Sequence, residues 1–211
     1  MADIYGATAL TGGGATALDS IDGADLSDGD AATVITDAGV YWYHLNATSA
    51  ATENSPFRIA PDSNAGDKRW HLVGTTAFIG ATLSLTSDFS LSAASGVSIQ
   101  WANEDEDVGG WFSSGANTRL TVPEGVTRVQ VFGSALGQSE TDQFVLKIEK
   151  NGVNFTGNEV DTSGSEVISI ATRPVTVVED DYFTLWAYST EARDITASDE
   201  TYFAIQAVGF A

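Results

Sequence analysis

His44 and His71 are the only imidazoles in the chain, and it contains no cysteine. Each histidine lies in a strand-like run beside a tryptophan, Trp42 or Trp70. An edge-of-core or interface ring is therefore expected, with a metal ligand or general base as the less favoured alternative. Without cysteine, neither a disulfide framework nor a thiolate zinc site is possible. The run Asn103-Glu104-Asp105-Glu106-Asp107 holds enough carboxylates to interest calcium, which takes several oxygen ligands. It lacks the spacing and central glycine of a calcium loop, so a solvated acidic turn is expected. Acid pairs such as Asp180 and Asp181 are common here, whereas a glycosidase needs two carboxylates facing each other across a cleft. No nucleophile–base pair stands out. The expectation is no enzymatic activity, no cofactor and no bound metal.

The remaining chemistry is aromatic. Tyr182, Trp186 and Tyr188 alternate with Phe183, Leu185 and Ala187, so one strand is apolar on both sides. Such a strand needs two buried surfaces, an intramolecular core and a subunit interface. The alternative is a shallow platform on which ring faces stack against sugar C–H groups. Trp111, after the Gly109-Gly110 turn, joins these three as a candidate for oligomer interface or glycan contact.

The elements that must position these residues read as strands. Phe144, Leu146 and Ile148 share a face of a run that ends at Asn151-Gly152. Ile168 and Ile170 share a face of the next, and Phe203, Ile205 and Ala207 form the last row. Period-two apolar residues between Gly, Asn, Asp and Pro turns mark half-buried antiparallel strands, and their repetition suggests a sandwich or jelly roll. Few Lys and Glu, with abundant Gly, Ala, Ser, Thr and Asp, argue against long helices. The fold class expected is all-β.

Charge bounds the partners. The net charge is −20, and Lys68, Lys147 and Lys150 are the only lysines. Such a surface repels phosphate backbones and anionic head groups, so neither nucleic acid nor a membrane is an expected partner. No apolar run reaches the roughly 18 residues of a membrane span, and Met1-Ala2-Asp3 lacks the basic start of a signal peptide.

Four segments are expected. Residues 1–18 are small and Gly-rich, too poor in apolar surface to order alone. They are read as an arm docked on a neighbouring subunit or larger assembly, with fold-back as the alternative. Residues 19–74 read as a small β-rich module, 75–96 as a linker or intertwined neck, and 97–211 as the jelly-roll domain.

Two resemblances add to this. The run ALTGGGATALDSIDGADLSDGDAATV, then SPFRIAPDS and the closing KRWHLVG, resemble a module found near the N-termini of bacteriophage tail-fibre and other virion appendage proteins. It spans residues 8 to 74 and implies attachment to capsid or tail proteins through residues 1–74. From Leu120 to Phe210, TRLTVPEGVTRVQVFGSAL, FVLKIEKNGVNF, VEDDYFTLWAY and TYFAIQAVGF resemble the globular heads of complement collagens and tumour-necrosis-factor-type jelly rolls. That family has Gly-Asp in the turn before the aromatic strand, where this chain has Glu179-Asp180-Asp181. The resemblance implies a homotrimer.

Together these give the expected function: a homotrimeric fibre or spike of a tailed phage, assembled in the host cytoplasm and displayed on the virion surface. Its tip would present weak, avid sites to host-surface polysaccharide. The alternatives are a capsid decoration protein and, less favoured, a glycan depolymerase.

Overall fold

A computed structural model describes residues 2–63 and 66–211; for 139–142 and 158–166, inside two strands, it describes the backbone alone. The described elements are strands and short 3-10 turns. They cluster into two units. The first holds residues up to Phe78 together with Glu124–Thr127 and Gly209–Ala211; the second holds Ile79–Pro123 and Arg128–Val208.

In the first unit β1 (Ile4–Ala7), β2 (Ala31–Thr36), β3 (Gly39–Asn46), β4 (Arg58–Ile59) and β5 (Arg69–Thr75) form one sheet in the order β1-β2-β3-β5-β4. The β2–β3 hairpin closes at Asp37-Ala38, with Thr36 opposite Gly39. Gly39 has φ 148°, and a Cβ there would lie 2.8 Å from the Ala77 amide nitrogen, so the turn requires glycine. One side of the sheet supplies the core: Val34, Tyr41, Tyr43, Leu45, Trp70 and Leu72 are buried, as are Leu18, Leu26, Phe57 and Ile59. Buried Tyr43 donates its hydroxyl to the Pro56 carbonyl at 2.8 Å, and burial pushes its phenol above the usual range.

The N-terminal arm, expected to dock on a neighbour, is held by its own module. β1 adds in parallel to β2, with Ile4 opposite Ala31 and Ala7 opposite Val34. Asp30 is buried and accepts the Asp3 N–H at 2.9 Å through one oxygen and the Ser27 N–H at 2.8 Å through the other. The glycine-rich loop is tied by Thr8 N–H to the Thr16 carbonyl and Gly12 N–H to the Asp19 carboxylate. Satisfied backbone groups, rather than large apolar burial, offset the ordering cost.

The second unit contains β6 (Gly80–Ser84), β7 (Phe89–Leu91), β8 (Ser95–Ser98), β9 (Asn103–Val108), β10 (Arg119–Thr121), all but the first two residues of β11 (Val126–Lys150), β12 (Val153–Ala171), β13 (Val175–Thr176), β14 (Tyr182–Ser189), β15 (Arg193–Ile195) and all but the last two residues of β16 (Tyr202–Phe210). Its main path runs β10-β14-β11-β16-β6-β9, with β12 also paired to β11 and β8 to β14. The β11–β12 hairpin turns at Asn151-Gly152, both at positive φ, with Lys150 opposite Val153. β11 is long enough to serve two layers. Its second half pairs with β14 from Phe144 opposite Ser189 to Lys150 opposite Phe183. Its first half lies across the core: a Cβ on Gly133 would stand 2.4 Å from a Leu185 methyl. An irregularity between Gly137 and Glu140 separates the halves. Between the layers Phe144, Leu146, Ile148, Phe183, Leu185, Phe203 and Ile205 are fully buried, and Trp101 stacks on Phe203 at 5.8 Å.

Two expected segments change character. Residues 79–96 belong to the second unit rather than to a neck. β6 pairs antiparallel with β16, with Leu83 opposite Phe203 and both buried. The acidic run at Asn103–Asp107 is not a turn but strand β9, paired on one side to β6 at the end of the strand order. Carboxylates suit that place, because charge on a terminal strand blocks further edge pairing.

Candidate functional site

The residues with chemical potential are dispersed. His44 and His71 face each other across β3 and β5, and Arg58 on β4 lies opposite His71 from the other side. His71 Nε2 is 2.9 Å from the Ser49 hydroxyl. Burial, then the charges of Arg58 and His44, hold His71 below the usual imidazole value against the pull of Ala211 and Glu124. A neutral ring in a cross-strand row is a structural histidine. Among the described residues no three His, Asp or Glu side chains converge as a metal group would need. Along β9 alternate carboxylates point to opposite sides, and two are engaged. Asp105 accepts from Ser84 Oγ and Asn103. Asp107 accepts from the N–H groups of Gly110, Trp111 and Phe112, capping the turn after β9.

The four aromatic candidates part company. Trp111 is 1 % exposed, and its indole N–H donates to the Val108 carbonyl at 3.0 Å, so in this chain it is a core residue. Tyr182, Trp186 and Tyr188 lie half-buried on the outward side of β14, opposite the buried Phe183 and Leu185. The Trp186 and Tyr188 rings stack in parallel, with centroids 6.1 Å apart. Gly96 of β8 lets Trp186 lean across: a Cβ there would overlap the indole. The Lys147 ammonium, directly opposite on β11, stands 4.5 Å from the indole centroid, and the Arg119 guanidinium 4.9 Å from the Tyr182 ring. This face is aromatic but charged, and its rings are already engaged within the chain.

The other layer presents a different surface. Its outward rows are Thr82 and Ser84 on β6, and Tyr202, Ala204, Gln206 and Val208 on β16. β11 adds Gln130, Phe132 and Leu136, with Ser134 in the same row but buried, and β12 adds Val167, Ser169 and Ala171. Ser134 and Ser169 are opposite one another and hydrogen-bond at 3.0 Å. None of these side chains carries a charge, in a chain whose net charge is −20. Val167 is 43 % and Val208 42 % exposed. Charge resumes at the margins, at Arg128, exposed at the start of the same β11 row, and on β9. At the β9 margin an open groove of about 550 Å³ is lined by hydroxyls and carboxylates, among them Thr82, Ser84, Asp105, Asp199 and Tyr202, with Leu85, Ala197 and Ala204 and without a basic group.

Two layers of antiparallel strands, sharing a long strand that serves both, match known structures. Murine APRIL at pH 5.0, a tumour-necrosis-factor-family jelly roll, superposes with a TM-score of 0.51 at 10 % identity over 62 % of this chain and 99 % of its own. The second unit is a jelly roll. The globular domain of zebrafish complement 1qA aligns over 63 % of this chain and 99 % of its own at 8 % identity, with a TM-score of 0.46. No protein-family model matches the sequence, and no curated protein matches it. The likeness to APRIL concerns the fold alone.

The jelly-roll expectation for the second unit is thus met, and the turn where the sequence departs from that pattern has its own chemistry. Asp180 stands at φ 66°, the left-handed conformation that a glycine adopts freely. Asp181 accepts the Val178 N–H at 3.0 Å and pairs with Lys150 at 2.7 Å. The uncharged face is what sequence reasoning missed. Its residues are uncharged and scattered over four strands, and no single strand announces it.

Proposed function

We propose that this chain is a non-enzymatic structural protein that self-associates as a homotrimer through the uncharged face of its jelly roll. The observation that carries the reading is that face. Two molecules this acidic repel one another over most of their surfaces, so copies can meet only where charge is absent. Small and hydroxyl side chains permit close approach, and burying Phe132, Leu136, Val167 and Val208 supplies the attraction. The trimer, rather than a dimer, is supported by the resemblance to complement-head and tumour-necrosis-factor-type jelly rolls.

The setting we propose is a tailed-phage virion, with the first unit as the anchor to capsid or tail proteins and the jelly roll as the displayed tip. Support for the setting is the ALTGGG…KRWHLVG resemblance alone. With one layer occupied by sister copies, the Tyr182, Trp186 and Tyr188 layer faces away from them and is the surface offered to host glycans. Three weak sites on one tip would act by avidity. Immunogold labelling of virions tests the setting. Label on fibres or spikes supports the appendage reading, label spread over the head favours capsid decoration, and no label overturns both. Release of reducing sugar from host capsule by the pure protein would overturn the non-enzymatic reading.

A further inference from the structure

We infer that the open half of the first unit's sheet is a second self-association surface, occupied by the same face of further copies of this chain; the inference rests on the self-association proposed above. The outward side of that sheet is divided. At β4 the first unit covers itself: Arg58 is buried and meets Glu124 at 3.4 Å, and the Ala211 N–H donates to the Gly125 carbonyl. Over β1, β2, β3 and the Val73 end of β5 it is open. Ile4 is 82 %, Ile35 61 %, Val73 55 % and Trp42 42 % exposed. Trp42 is the centre of the patch, opposite Thr33 on β2 and Gly74 on β5. A Cβ on Gly74 would stand 3.3 Å from the indole, so the glycine lets the ring lie against the neighbouring strand. Ile35 and Val40 pair at one end of the patch, Ala31 and His44 at the other.

The charge pattern selects the occupant. The first unit carries eleven Asp and Glu against three Lys and Arg. The outward rows of β1, β2 and β3 carry none of these, and His44 at the margin is their one ionisable side chain. A basic partner would be recruited by carboxylates, which this patch does not offer. An acidic partner is repelled everywhere except at such a patch. The acidic partner at highest local concentration is another copy of this chain, held alongside by the jelly roll. Exposed aliphatic and indole surface then supplies the attraction.

Because the chain has no cysteine, single cysteines report proximity cleanly. The test uses the full chain carrying Val73→Cys or Ile35→Cys, with Val178→Cys, 67 % exposed in the second unit, as control. Each is treated with a short bis-maleimide while sedimentation follows the oligomer. The expected result is covalent multimers from the two first-unit cysteines, about tenfold faster than from the control. Trp42→Asp should weaken association about tenfold or more, and Trp42→Phe should largely retain it. Circular dichroism of each variant confirms the fold. An intact oligomer without preferential cross-linking, and with Trp42→Asp sedimenting as wild type, overturns this inference and leaves the jelly-roll interface standing. A wild-type chain that is monomeric throughout overturns the self-association itself.

Discussion

At the scale of single residues, the turn from Val178 to Tyr182 shows how local chemistry holds the jelly roll. Burial pushes the Asp181 carboxyl up, but hydrogen bonds from Lys150, Asn151 and the Val178 N–H outweigh it and hold the group below the ordinary carboxylate value. A depressed carboxylate contributes stability that is fully present above the unfolded value of about 3.9 and is lost as pH falls towards the folded one. Asp181→Asn should therefore cost about 1–3 kcal/mol at pH 7 and less at pH 3, read from urea unfolding at the two pH values. At Asp180 the issue is backbone conformation. Asp180→Val should destabilise by about 1–2 kcal/mol, because a β-branched residue resists positive φ, whereas Asp180→Gly should be tolerated. His71 adds a second pH window. Its value is depressed, so its contribution is complete above about pH 6.5 and declines as pH falls from there towards the lower folded value. His71→Gln should flatten thermal stability between pH 6.5 and 5, measured by calorimetry.

At the scale of elements, the sequence was most legible where large apolar residues alternate. The rows of Phe144, Leu146 and Ile148, and of Phe203, Ile205 and Ala207, are core rows of β11 and β16, with Ala207 the shallowest. It was least legible where a strand's identity depends on a distant partner. β6 is a Gly, Ala, Thr and Ser stretch with two buried apolar residues, and it becomes a strand because β16, some 120 residues later, pairs with it. β9 reads as a loop because exposed carboxylates dominate it, which a terminal strand tolerates. The arm reads as unsupported because backbone hydrogen bonds leave no trace in composition. Asp30 carries that burden, so Asp30→Ala should cost the first unit about 1–3 kcal/mol, seen as loss of amide protection in β1. The same blindness hid the uncharged face. Large rings drew attention to β14, whereas the uncharged face exists only once β6, β16, β11 and β12 lie side by side.

At the scale of the whole molecule, a net charge of −20 makes association a contest between repulsion and apolar burial. Salt screens the repulsion and leaves the burial intact or stronger, so association should tighten as ionic strength rises, the reverse of a charge-paired interface. The measurement that bears most directly on the central claim is sedimentation equilibrium of the full chain at low and high salt, beside Ala204→Glu. Ala204 lies on the uncharged face, half-buried and outside the core rows, so a carboxylate there disturbs packing between copies more than folding. The account predicts a mass three times the 22.1 kDa chain, tighter in high salt, and dissociation of the folded Ala204→Glu variant to single chains. A wild-type mass of 22.1 kDa at every concentration and salt, or a trimer untouched by Ala204→Glu, would contradict it.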